Sequence, residues 1–271
     1  MKNISEILKS KNFINFIKRF SMDALISIFF GIFLISAFNI LVWQMENING
    51  NNILKSLYPV KTNPTIEKAP EDSLTSETDP DQIEAVNPNK YASLPFLKQD
   101  ILSLKAINKD TVAWVKLAGT DKLDYPVVQT KDNEYYLSND FYKDYSSAGW
   151  VFADYRCNLE NLGPNTIFYG HSRLDGSMFG SLHVGVNASW YSNPKNHYVW
   201  VTTENDDLIF QIFSIYATTV DFYYIRTDFQ DRADYSAFLQ SLIDKNEVPA
   251  VNYGCSPDDI ILTLSTCNGP A

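Results

Sequence analysis

Histidine and cysteine are both scarce in this 271-residue chain, with three of each. Cys157, Cys255 and Cys267 include no CxxC pair, and an odd number of thiols excludes a complete disulfide framework. At most one pair can form, and the spacing leaves open whether Cys157 and Cys255 are partners. His171, His183 and His197 are not bracketed by carboxylates at ligand spacing, so neither a metal nor another cofactor is expected. His183 and His197 read as surface or turn residues. Basic residues are also scarce beyond the N-terminus. Residues 1–22 hold Lys2, Lys9, Lys11, Lys18 and Arg19 against Glu6, a balance of +4. With a net charge of −10 for the whole chain, the remainder carries −14. An acidic body of that size excludes a nucleic-acid surface and an anionic-lipid surface as its main partner.

Apolar residues, at 45%, suffice for a sizeable core, and aromatics make up 14% of the chain. One apolar run stands apart. From Ala24 to Trp43 no residue carries a formal charge. Twenty helical residues span about 30 Å, the hydrocarbon thickness of a bilayer. Residues 1–22 are the basic flank and residues 23–43 the predicted transmembrane signal anchor. The positive-inside rule then puts the N-terminus in the cytoplasm and the rest outside the cell. An uncleaved anchor is expected rather than a signal peptide. The run is long for an h-region, and Gln44-Met45-Glu46-Asn47 follows it in place of a small-residue cleavage site.

Residues 44–90 change character. Pro59, Pro64, Pro70, Pro80 and Pro88 lie among Asn, Thr, Ser, Glu and Asp, which predicts a disordered extracellular spacer. Residues 91–271 are globular in pattern. Leu94, Phe96, Leu97, Ile101, Leu104 and Ile107 have helical spacing. Strands are predicted over 112–117, 123–129, 150–155, 166–169, 198–202, 208–218 and 260–267. Pro126 marks its strand as an edge or bulge. Asp132 caps a brief helical turn through Leu137. A helix is predicted over 231–245, with Tyr235, Phe238, Leu239 and Leu242 on one face. Many short strands with few helices point to a mostly-β barrel or sandwich.

Two strands end on chemistry. The apolar run from Ile260 closes on Thr266-Cys267 before Asn268-Gly269-Pro270, a strong turn signal. The run Thr166–Tyr169 closes on Gly170-His171. A thiol needs a neighbouring base or imidazolium to become a competent nucleophile. Such a pair can open an amide, hold the acyl group as a thioester and protonate the leaving amine. A cysteine in an apolar strand can equally be a small core residue, and the strand alone leaves both roles open.

Leu264-Ser265-Thr266-Cys267 and Tyr169-Gly170-His171 are similar to the two signature motifs of sortases. The body from about residue 90 resembles class B. Asp124–Gln129, Asp132-Asn133 with Tyr136-Leu137, Ser177–Leu182 and Tyr224–Phe229 are similar to class B segments and occur in the same order. The resemblance implies an eight-stranded sortase β-barrel and a cysteine transpeptidase at the outer face of a Gram-positive membrane. On that reading the enzyme cleaves a C-terminal sorting signal after its threonine, as a thiol protease would. It then passes the acyl group to an amine of a peptidoglycan precursor of the lipid II type, anchoring a surface protein to the cell wall. The resemblance makes Cys267 the nucleophile and His171 the general acid/base, and lines the sorting-signal groove with Asn133, Leu137, Tyr169, Tyr224, Ile225 and Ser265.

The family also carries an arginine on a further strand beyond the cysteine. The sequence stops at Ala271, so a C-terminally truncated piece of a longer chain is expected. Two other readings remain open at this point. One is a catalytically inactive, membrane-tethered barrel that binds wall peptides or a partner protein. The other is a wall-peptide hydrolase using the same Cys/His pair.

Overall fold

The computed structural model describes residues 11–58 and 100–266, in two compact units that divide at Asn51 and Asn52. Helix α1 (Lys11–Leu57) is 47 residues long. Its stretch from Met22 onward is long and apolar enough to cross a membrane, with a mean hydropathy of 2.5 over the best window. Phe29, Phe33 and Phe38 are each more than 60% exposed, a surface suited to lipid and costly in water.

The helix continues where a spacer was predicted. Residues 44–57 are helical, and the last of them pack within the second unit. Ile53 and Leu57 are buried in the main core, and Tyr58 meets Trp114 edge-on at 5.5 Å. Ser56 Oγ shares a hydrogen bond with Tyr142 OH at 3.1 Å. A few apolar side chains at helical spacing outweigh the polar composition around them, because each finds a place in the core. The rest of the predicted spacer, residues 59–90, lies outside the described residues, as do residues 1–10 and the helical positions Leu94, Phe96 and Leu97.

The second unit is mostly sheet. Helix α2 (Ile101–Ile107) is capped by Asp100, which accepts from Ser103 N. Strands follow: β1 (Thr111–Leu117), β2 (Asp124–Val128), β3 (Phe152–Ala153) and β4 (Asn165–Tyr169). After the short helix α3 (Ala188–Tyr191) come β5 (Tyr198–Thr203), β6 (Asp207–Gln211), helix α4 (Arg232–Asp244) and β7 (Ile261–Ser265). Among the described residues these form one seven-stranded sheet in the order β6-β5-β1-β2-β3-β4-β7. It curls into a nearly closed barrel around Trp114, Trp150, Phe141, Phe168 and Phe179, all buried.

The composition explains most of this. β5 reads Tyr-Val-Trp-Val-Thr-Thr and is buried throughout. β-Branched and aromatic side chains fill a pleated surface with little loss of rotamer freedom. Pro126 sits opposite Trp114 within β2, and β2 touches β3 at a single register pair. The other side of Pro126 therefore has no ladder to complete, and its carbonyl accepts from Trp150 Nε1 at 2.9 Å. That matches the edge character proline requires.

Two expectations are corrected here, and a third is described only in part. The strand predicted over 208–218 ends at Gln211. Beyond it, Asn246 Oδ1 takes the Ile215 N–H, and Ile215 O accepts from Glu247 N, so other partners replace the ladder. The helix of 94–107 is described only from Ile101. His197 is not a surface residue; it is 1% exposed. Nε2 meets Tyr191 O at 2.7 Å and Nδ1 meets Tyr253 OH at 3.0 Å, so both ring nitrogens are satisfied and burial is tolerated.

Candidate active site

β4 and β7 run parallel as neighbours, and their register ends at Tyr169 opposite Ser265. The pairing persists one step further. Gly170 N donates to Ser265 O at 3.4 Å, and Thr266 Oγ1 donates to Gly170 O at 2.8 Å. His171 follows directly on one strand. Cys267, the predicted nucleophile, follows on the other and lies outside the described residues.

The His171 ring is half-buried, with Nε2 2.8 Å from Leu137 O. A carbonyl can only accept, so Nε2 carries the hydrogen and Nδ1 is the nitrogen left to take or give a proton. Two features bring Leu137 to that position. Asp132 Oδ1 accepts from Glu134 N and Tyr135 N, which starts the 3-10 turn Tyr135–Leu137. Gly149 then crosses beneath it with φ +56°, and a Cβ there would come within 2.5 Å of Tyr136 O and 3.0 Å of the His171 ring. Only glycine combines that backbone angle with so close an approach.

The predicted groove residues fall into two linked groups. Tyr224 OH and Ser265 Oγ share a hydrogen bond of 2.8 Å, which ties the segment before α4 to the end of β7. Asn133, Tyr169 and Ile225 meet through two residues that the sequence reading passed over. Asp154 Oδ2 accepts from Asn133 Nδ2 at 3.0 Å and from Tyr169 OH at 2.9 Å. Arg156 grips Asp154 through Nε and Nη2 at 2.8 and 2.7 Å and extends Nη2 to Ile225 O at 3.0 Å. Leu137 is 43% exposed and reaches the site through its carbonyl as well as its side chain. The available signal for the missed pair was an acid and an arginine two residues apart, directly after the apolar run Trp150–Ala153.

Burial alone would raise the Asp154 pKa, but the donors from Arg156, Tyr169 and Asn133 outweigh it and hold the carboxyl at about 2. Burial and the Asp154 hydrogen bond push the Tyr169 phenol up. Arg226 is engaged elsewhere. Arg226 forks onto Asp234 at 3.0 and 2.5 Å and lies over the Phe229 ring.

The remaining two cysteines within the described residues are free thiols, so Cys157 and Cys255 do not pair. Cys157 Sγ is buried between Ile167 N and Asn165 O, and burial raises its pKa. Burial pushes the Cys255 thiol up to about 11. Neither has the environment of a nucleophile. A cavity of about 700 Å³ runs along β7, with Tyr224, Ser265 and Thr266 in its wall together with Leu182, Trp190 and Ile215.

No family model matches the chain. It is 32% identical over 253 residues to sortase B of Listeria monocytogenes, a match covering 93% of this chain and 92% of that protein. It is 41% identical over 165 residues to sortase B of Staphylococcus aureus, covering 61% of this chain and 66% of that one. Among solved structures, a Staphylococcus aureus sortase B–substrate complex superposes with a TM-score of 0.58 at 40% identity, over 62% of this chain and 76% of that one. Shared sequence over nearly the whole of both chains, on a shared barrel, has one reading: this chain belongs to the sortase B family.

Proposed function

We infer that this sortase is a membrane-anchored cysteine transpeptidase with Cys267 as its nucleophile and His171 as its acid/base. The parallel register of β4 and β7 carries the reading. His171 and Cys267 each stand two residues past the last paired position, Tyr169 with Ser265, so the pairing favours their meeting at one end of the barrel. His171 is braced through Nε2 by the Leu137 carbonyl, which leaves Nδ1 for proton transfer.

The reaction has two halves. The Cys267 thiolate adds to the carbonyl of the threonine in a sorting signal, and the tetrahedral adduct collapses by expelling the downstream amine. His171 gives that amine its proton, leaving a Cys267 thioester and a neutral imidazole. An amine of a peptidoglycan precursor then attacks the thioester, His171 takes its proton, and the thiolate leaves. Among the described residues Arg156 and Arg226 are committed to Asp154 and Asp234, so neither guanidinium is assigned as the oxyanion donor. Tyr224, Ser265, Asn133, Leu137, Tyr169 and Ile225 form the walls that hold the signal. α1 is the anchor, its basic N-terminus in the cytoplasm and the barrel outside.

The test is partition between two acceptors. Fluorogenic peptides with threonine at the cleaved position are incubated with the full chain, with and without hydroxylamine. The reading predicts a hydroxamate product that grows with amine at the expense of the acid. Cleavage that ignores the amine would contradict transpeptidation in favour of hydrolysis. Binding without cleavage would contradict the enzyme reading altogether.

A further inference from the structure

We propose that Asp154 and Arg156 are a positioning pair that sets the separation of the two walls of the peptide groove. The inference rests on the groove assigned above. Asp154 is 0% exposed and lies at the turn after β3. It makes five side-chain hydrogen bonds. Oδ1 accepts from Arg156 N and Arg156 Nε; Oδ2 accepts from Arg156 Nη2, Asn133 Nδ2 and Tyr169 OH. Asn133 is held at both ends, since its Oδ1 accepts from Tyr155 N at 3.0 Å. That fixes one wall, the segment that leads to Leu137 and the His171 brace.

Arg156 fixes the other wall. Having satisfied Asp154, its guanidinium donates from Nη2 to Ile225 O and from Nη1 to Tyr223 OH, each at 3.0 Å. Tyr224, between those two residues, reaches Ser265 at the end of β7. This stretch belongs to no strand, so side chains replace a ladder in holding it: the half-buried Arg156–Asp154 pair, and Asn165 Nδ2, which donates to Arg226 O at 2.8 Å. The carboxylate stays ionised across the whole physiological range, because its donors hold the pKa at about 2. Neither residue needs to touch the reacting atoms. Their bonds run to Asn133, Tyr169, Tyr223 and Ile225, and the effect on chemistry passes through those.

A planar fork is what the geometry uses: two nitrogens for the carboxylate, with further donors for a carbonyl and a phenol. Lysine in place of Arg156 keeps the charge and loses the fork, while methionine loses both. Asparagine in place of Asp154 keeps the shape and leaves Arg156 without its counter-charge.

The test uses the full chain in detergent micelles, with the best-cleaved peptide from the threonine-fixed fluorogenic pool. Arg156→Met, Arg156→Lys and Asp154→Asn are compared with the parent by kcat and KM separately, by unfolding midpoint, and by hydrogen exchange over residues 219–230. Arg156→Met is expected to raise KM on the order of tenfold while kcat stays within about twofold, because a displaced wall weakens binding in ground and transition states alike. Arg156→Lys falls between it and the parent, and exchange over 219–230 accelerates in step with KM. A loss in kcat at unchanged KM would overturn the inference, as would faster exchange with no kinetic effect. Should Asp154→Asn fail to fold, the two Arg156 variants decide the matter alone. A parent chain that cuts no peptide overturns the transpeptidase reading and this inference with it, whereas an active parent with unaltered variants overturns this inference alone.

Discussion

At the scale of single residues, the site depends on how each polar group is held. If His171 is the proposed proton donor for the leaving amine, replacing it with alanine should lower kcat/KM for the fluorogenic peptide by about 10²- to 10⁴-fold at an unchanged unfolding midpoint. A second residue-scale prediction concerns His197. Burial favours its neutral form in the fold and lowers its pKa, only partly offset by the Tyr191 carbonyl. The unfolded chain therefore binds the proton more readily. The stability this contributes is fully present above the ordinary histidine value of about 6.5 and is lost as pH falls from there toward the folded pKa. Denaturant midpoints of the parent should decline between pH 6.5 and pH 5, and those of His197→Gln should decline less. An equal decline in both would remove His197 from the account. Asp154 acts in a lower window. With a folded pKa of about 2 against an ordinary 3.8, it contributes about 2 kcal/mol that is present above pH 4 and lost as pH falls toward 2.

Elements explain what was and was not legible in the sequence. The runs of β1, β4, β5 and β7 announce themselves by β-branched, aliphatic and aromatic residues, and α4 by Tyr235, Phe238, Leu239 and Leu242 at helical spacing over an Asp231 cap. His171 was read from a strand end and follows β4 by two residues, while Cys267 lies outside the described residues. What could not be read is what tertiary contacts decide. Nothing local marks Ile53 and Leu57 as core residues within polar sequence. Nothing in Asp154-Tyr155-Arg156 says that its partners sit some twenty residues upstream at Asn133 and beyond Tyr223 downstream. His197 looks like any turn histidine until Tyr253 is brought to it.

Two element-scale predictions follow from these contacts. Leu57→Ala should lower stability by about 2–4 kcal/mol, since a fully buried leucine leaves a cavity in the main core. Were residues 44–57 spacer instead, denaturant titration would find no change. Gly149→Ala forces a Cβ against Tyr136 O and the His171 ring, so it should reduce both the unfolding midpoint and kcat. A variant with parent kinetics would show that the Leu137 brace on His171 is dispensable.

At the scale of the whole molecule, the chain joins an apolar helix to an acidic barrel, and the proposed chemistry belongs to the shared end of β4 and β7. The helix suits a bilayer by length and composition. Removing residues 1–43 should move the protein from the membrane pellet to the soluble fraction while leaving peptide cleavage intact. The central claim is covalent, and intact-mass spectrometry of the chain quenched in acid during turnover tests it most directly. The account predicts an added mass equal to the acyl portion of the peptide ending in threonine, mapped to the fragment containing Cys267. That mass should be lost on hydroxylamine treatment and absent from Cys267→Ala. Cleavage by Cys267→Ala at the parent rate, or an acyl group found on another residue, would contradict it.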